Sequence, residues 1–92
     1  MSTQRAYLRI RGKVQGVCYR ANAQRSARDN KLTGWVRNLP DDSVECVVEG
    51  PRDAIDQFVL WANRGPVAAR VDSVEVSWSD PTGEFTRFEC RK

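Results

Sequence analysis

The sequence predicts an α+β fold in which one antiparallel sheet carries two helices on one face. Three observations predict it. Apolar residues alternate along five short segments, as half-buried strands require. Two longer segments between them repeat small or apolar residues at helical spacing. The order is β-α-β-β-α-β with one extra strand, the order of a split βαβ, or ferredoxin-like, sandwich. No linker, internal repeat or low-complexity stretch divides the chain, so residues 1–92 are expected to form one domain.

Each element has its own signal. In residues 5–11, Ala6, Leu8 and Ile10 alternate with Arg5, Arg9 and Arg11, which predicts a strand with one face in the core. Gly12 to Tyr19 reads as a loop. From Arg20 to about Lys31, Ala23 and Ala27 recur at helical spacing among arginines, giving a helix narrow enough to lie close on a sheet. Gly34 is expected just past its end. Trp35 to Leu39 predicts a second strand, Pro40-Asp41-Asp42 a turn, and Val44, Cys46 and Val48 between Glu45 and Glu49 a third strand, so that 35–49 is a hairpin. Pro51 opens a second helix, whose face is Ile55, Phe58, Val59 and Ala62 and which stops near Arg64-Gly65-Pro66. Val74, Val76 and Trp78 mark a fourth strand, Pro81-Thr82-Gly83 a turn, and Phe88 and Cys90 a short last strand. Phe58, Trp78 and Phe88 are expected to face inward, with Cys46 and Cys90 as buried thiols. Tyr7 and Trp35 read as packing residues on the sheet, because the aromatic-rich signature of RNA-binding sheets is absent.

Composition excludes several classes. Histidine is absent, which removes imidazole bases, Ser-His and Cys-His nucleophile pairs, and histidine zinc sites. Three scattered cysteines are too few for a four-cysteine zinc site and do not suggest a disulfide framework. No metal or other cofactor is expected. The longest apolar run, Phe58 to Ala62, is far short of the ~20 residues of a membrane span, and residues 1–12 lack the apolar core of a secretory signal. The expected setting is the cytoplasm, without membrane attachment. Residues 1–40 carry nine Lys/Arg and one acidic residue, while residues 41–92 carry six Lys/Arg and eleven Asp/Glu, so the first half is the one to attract an anion.

The stretch Gly12-Lys13-Val14-Gln15-Gly16-Val17-Cys18-Tyr19-Arg20 joins a strand to a helix. Backbone N–H groups of such a loop point at one spot, the helix N-terminus adds partial positive charge, and Arg20 adds a guanidinium fork. Together these make a cradle for a tetrahedral anion, although it is not a Walker A loop. Spacing alone leaves open a plain turn followed by a solvent arginine. Asn38, near the end of the second strand, could hold a water through its amide, or merely face solvent. Cys46 and Arg52 share the C-x5-R spacing of cysteine phosphatases, but Cys46 falls in the middle of a strand, where a thiol packs rather than attacks.

The pairing of GKVQGVCYR with GWVRNL strongly resembles the acylphosphatase family, whose pattern is G-x-V-Q-G-V-x-aromatic-R followed by G-x-V-x-N. The matching residues are Gly12, Val14, Gln15, Gly16, Val17, Tyr19 and Arg20, then Gly34, Val36 and Asn38. The resemblance runs over essentially the whole chain, through Ser43-Val44-Glu45, Gly65-Pro66, Ala69-Arg70-Val71 and Phe85-x-x-Phe88. Tyr19 departs from the usual phenylalanine, and Asp42 from a frequent hairpin glycine. The resemblance implies hydrolysis of acyl phosphates to a carboxylate and inorganic phosphate. It implies that the backbone N–H groups of Gln15, Gly16, Val17, Cys18, Tyr19 and Arg20 hold the phosphoryl group with the Arg20 side chain, and that Asn38 orients the attacking water. A carboxylate leaves without a general acid, so the lack of histidine is no obstacle. The expected partner is a small acyl phosphate, with inorganic phosphate or another anion able to occupy the loop, and the expected state is a monomer. A non-catalytic anion- or nucleic-acid-binding module on the same fold is the alternative, distinguished by salt-dependent binding without turnover.

Overall fold

The computed structural model describes residues 3–92. The elements are β1 (Thr3–Lys13), α1 (Tyr19–Asp29), β2 (Thr33–Asn38), β3 (Val44–Pro51), α2 (Arg52–Arg64), β4 (Arg70–Ser79) and β5 (Phe88–Cys90). The strands form one sheet in the order β4-β1-β3-β2-β5. Four are antiparallel as expected, but β5 joins β2 in parallel, so the sheet is mixed. The cause is topological. β4 occupies one edge of the sheet and runs down it; residues 80–87 carry the chain to the far edge, and β5 climbs beside β2.

Register follows from the alternating apolar pattern. Leu8 lies opposite Cys46 on one side and Val76 on the other, and Val36 lies opposite Cys46 and Cys90. Leu8, Ile10, Val36, Val44, Cys46 and Val48 form the floor of the core; Ala23 and Ala27 of α1, and Ile55, Phe58 and Ala62 of α2, form its roof. The two alanines let α1 come down close to the sheet. Phe88 fills the space beside Phe58, with ring centroids 6.1 Å apart.

Several sequence expectations need correction. β1 runs on to Lys13 through an irregularity between Arg11 and Gly12, so the loop before α1 is only residues 14–18. Gly34 does not end α1. The helix stops at Asp29, Lys31 takes the left-handed turn (φ 58°), and Gly34 sits inside β2 at φ 139°. A Cβ at Gly34 would lie 1.9 Å from the Val47 carbonyl oxygen, so glycine is required by close approach of β3. Leu39 falls outside β2, which stops at Asn38. Trp78 lies on the helix-bearing face, opposite Ala6, but on edge strand β4 it remains exposed, with the Arg52 guanidinium 3.8 Å from its ring centroid. Cys90 is exposed as well, because it ends a three-residue edge strand with no neighbour outside it. Cys46 is buried as expected, and burial pushes its thiol pKa well above the ordinary range. Tyr7 and Trp35 are half-buried on the open face, where Tyr7 Oη donates to Glu45 at 2.6 Å and the guanidinium groups of Arg37 and Arg91 flank Trp35.

Candidate active site

The antiparallel register collects at one end of the sheet the C-terminal ends of β1 and β2, the starts of β3 and β4, the N-terminus of α1 and the C-terminus of α2. The motif residues meet there.

The loop between β1 and α1 turns through two left-handed residues, Gly16 (φ 73°) and Cys18 (φ 63°). Alternation of handedness turns successive N–H groups to the same side, the backbone arrangement from which anion-binding nests are built. Among the described residues, none of the backbone N–H groups from Gln15 to Arg20 donates to a protein acceptor. The side chains of this loop point elsewhere. Gln15 Nε2 donates both hydrogens, to the Leu39 and Ser43 carbonyls at 2.8 Å each, and so clamps the loop to the β2–β3 hairpin. Val17 packs against the core. Tyr19 is buried, and its Oη donates to the Ala62 carbonyl at 2.8 Å. Desolvation, and secondarily the nearby Cys46, raise the Tyr19 pKa far above that of a free phenol. The Gln15 and Tyr19 side chains are thus engaged elsewhere, Val17 is only partly buried, Gly16 has no side chain, and Cys18 is exposed at the N-cap of α1.

Arg20 stands in the first turn of α1. Its Nη1 donates to the Arg91 carbonyl at 2.7 Å, and the Arg91 N–H donates to the Val36 carbonyl at 2.8 Å. The arginine is thus braced, through the residue after β5, on the strand that ends two residues later at Asn38. One of five guanidinium donors is used, which leaves the others for an anion. Arg20 has no carboxylate within ion-pair reach among the described residues, unlike Arg5, Arg9, Arg11 and Arg37 on the open face. Asn38 ends β2, and its Oδ1 is buried without a hydrogen-bond partner among the described residues. An unpaired buried acceptor is costly unless something such as a water or ligand fills it, which marks this atom as a place for a donor. The hairpin behind it is firmly built: Leu39 N–H donates to Ser43 O at 2.9 Å, and Ser43 N–H donates to Asp41 Oδ1 at 3.0 Å. Asp42 adopts the left-handed conformation (φ 72°) that the turn demands, as aspartate tolerates.

The braces were invisible in the sequence. Gln15 read as a ligand-binding residue, and its side-chain role as clamp had no signal beyond its place in the motif. Arg91 acts through a backbone carbonyl, which carries no residue identity.

Uncommitted loop amides, a cation at a helix start and an orphaned amide oxygen lie together at one end of a ferredoxin-like sandwich, an arrangement chemically suited to phosphoryl transfer. Comparison with known proteins makes the class specific. The acylphosphatase family model matches residues 6–90. An acylphosphatase of Anaeromyxobacter dehalogenans (strain 2CP-C) is 51% identical over 87 residues, spanning 95% of this chain and 94% of its own. One from Azoarcus sp. (strain BH72) is 53% identical over 83 residues, spanning 90% and 84%. The crystal structure of the acylphosphatase from Bacillus subtilis matches with a TM-score of 0.94 at 32% identity, over 97% of this chain and 99% of that one. The chain belongs to the acylphosphatase family, and is therefore an enzyme acting on small-molecule acyl phosphates.

Proposed function

We propose that the protein hydrolyses acyl phosphates by direct attack of water on phosphorus, with no metal. The amides of residues 15–20 and the Arg20 guanidinium hold the equatorial phosphoryl oxygens. Asn38 Oδ1 accepts a hydrogen bond from the attacking water and fixes its direction. The water oxygen forms the new P–O bond as the bond to the acyl oxygen breaks. The carboxylate leaves without a proton, and a phosphoryl oxygen of the substrate takes the proton from the water. An amide side chain is no base at neutral pH, so this substrate-assisted route suits a site without histidine. Catalysis is then positioning and charge stabilisation.

One observation carries the reading: the donors of the loop and the Oδ1 acceptor of Asn38 sit at the same end of the sheet, and neither has a partner among the described residues. The same reading has residues 1–92 acting as one monomeric domain in the cytoplasm, where its three free thiols fit a reducing setting. Inorganic phosphate should occupy the loop, and neither nucleic acid nor a membrane is a partner. The pairing of the open-face arginines with carboxylates supports this, since it leaves no continuous cationic surface there.

The test follows loss of benzoyl phosphate by ultraviolet absorbance, with EDTA present and Arg20→Ala alongside. The expected result is turnover that persists in EDTA and disappears in the variant. Absence of turnover from folded protein would replace the enzyme with a non-catalytic anion- or nucleic-acid-binding module. A pH–rate profile requiring an enzyme group with a pKa near 7 would overturn substrate assistance.

A further inference from the structure

The two halves of the site are carried by different pieces of chain. The loop amides and Arg20 belong to the β1–α1 connection and the first turn of α1, whereas Asn38 ends β2 and leads into the β2–β3 hairpin. Attack in line needs the two at one fixed separation, since a misplacement of about 1 Å can cost ~10²-fold in rate. Ser43 ties them together. Its carbonyl oxygen accepts from Gln15 Nε2 at 2.8 Å, at the start of the loop. The same oxygen accepts the N–H of Leu39, the residue after Asn38, at 2.9 Å. One atom therefore joins the loop to the end of β2.

Ser43 is in turn held by charge. It is buried, and its N–H and its hydroxyl both donate to Asp41 Oδ1. Arg9 Nη2 donates to the other carboxylate oxygen, and Arg9 Nε donates to Ser43 Oγ at 2.7 Å, so Arg9, Asp41 and Ser43 form a closed ring. Arg11 Nη1 lies 3.5 Å from the same Asp41 oxygen. The Ser43 bonds, with Arg9, keep the Asp41 carboxyl well below the usual carboxylate range, so the ring stays ionised. Arg9 belongs to β1, the strand that runs into the loop, so the ring fastens that strand to the hairpin a second time. Arg5 and Glu49 make a comparable pair on the same strand, but they touch neither the loop nor the hairpin turn.

We propose that Arg9 and Asp41 are positioning residues for hydrolysis: through Ser43 they fix Asn38 relative to the loop, although neither touches substrate. The proposal rests on the acyl phosphate reading above. When Ser43 shifts, Gln15 keeps its second acceptor, the Leu39 carbonyl at 2.8 Å, and Arg20 keeps its brace on Arg91. Loss of the ring is therefore felt in turnover and not in affinity for phosphate.

The experiment measures kcat and KM for benzoyl phosphate, and the Ki of inorganic phosphate, in the native protein, Arg9→Met, Arg9→Lys, Asp41→Ala, Asp41→Asn and Arg5→Met, with circular dichroism to show that each is folded. Arg9→Met and Asp41→Ala are expected to lower kcat about 10-fold and to leave the phosphate Ki within about 2-fold. Arg9→Lys and Asp41→Asn should recover part of the loss, because an ammonium reaches one of the two partners and an amide keeps an acceptor for Ser43. Arg5→Met should leave kcat unchanged. Unchanged kcat in folded Arg9→Met and Asp41→Ala, a phosphate Ki that rises in step with the fall in kcat, or an equal fall in Arg5→Met overturns the proposal and leaves hydrolysis itself standing. Where a truncation does not fold, its conservative partner decides, by an expected loss of about 3-fold whose absence overturns the proposal. Failure of the native protein to hydrolyse benzoyl phosphate removes the enzymatic reading, and this one with it.

Discussion

At the residue scale the site depends on few side chains, so single substitutions separate their roles. Arg20→Ala should abolish competitive inhibition by phosphate and lower kcat/KM by ~10³-fold or more, the scale at which charge-stabilising arginines act in phosphoryl transfer. Arg20→Lys should recover little, because an ammonium cannot donate to the Arg91 carbonyl and grip a phosphoryl group with the same planar fork. Asn38→Ala should lower kcat far more than it raises KM, because the role proposed for its Oδ1 is to orient water and not to bind phosphate; a loss confined to KM would contradict that role. Tyr19→Phe removes the hydroxyl that bonds Ala62 O, so unfolding in urea should show a loss of about 1 kcal/mol with little change in kcat.

At the element scale, two glycines make opposite demands. Gly34 lies against the backbone of β3, where a Cβ would meet a carbonyl oxygen at 1.9 Å. Gly34→Ala should cost about 3 kcal/mol or more and leave little folded protein in solution. Gly16 has no atom within 4 Å of where a Cβ would stand, but its φ is 73°. Gly16→Ala should fold, with only the ~1–2 kcal/mol cost of a left-handed alanine, yet bind phosphate more weakly as the loop relaxes. These cases show what the sequence could convey. Periodicity located all seven elements, and the motif singled out Arg20 and Asn38, which the fold brings to one end of the sheet. It misplaced Gly34, because a helix-end glycine and a strand glycine under close approach look alike until β3 is beside it. Trp78 and Cys90 were misread as buried because alternation reports a face of the sheet, while burial on that face also depends on whether a helix covers the edge. The parallel entry of β5 had no local signal at all, since it is set by where residues 80–87 lead.

For the whole molecule, the unequal charge of the two halves becomes a lattice of ion pairs across the open face. Arg5 meets Glu49, Arg9 meets Asp41, and Arg37 meets Glu45. Glu49 shows the balance of forces. Burial alone would raise its pKa, but N–H bonds from Thr82 and Gly83, with Arg5 and the Thr82 hydroxyl, outweigh burial and hold it below the ordinary 4.5. Glu45 is likewise lowered, by Tyr7 and Arg37 against its own burial. A carboxylate depressed in the folded state stabilises above its unfolded pKa and loses that contribution as pH falls through the folded value. A thiol raised in the folded state, as Cys46 is, does the reverse: its contribution is intact below 9.0 and is lost as pH rises beyond. Urea unfolding across pH should therefore give a plateau bounded by declines below about 4.5 and above about 9. Glu49→Gln should flatten the acid limb; an acid limb as steep as that of the native protein would show that other carboxylates dominate it.

The crossing at residues 80–87 has one more consequence. It is an exposed strap between the two edge strands, and the far strand it delivers is held by contacts that need no covalent link: the β2 ladder, the buried Phe88 ring, and the side chains of Arg20, Gln24 and Arg28 on β5 and Arg91 carbonyls. A cut in that strap would turn the brace of Arg20 into a ligand. The severed β5 would bind with a dissociation constant of its own, and turnover, otherwise a property of one folded chain, would become a saturable function of added peptide.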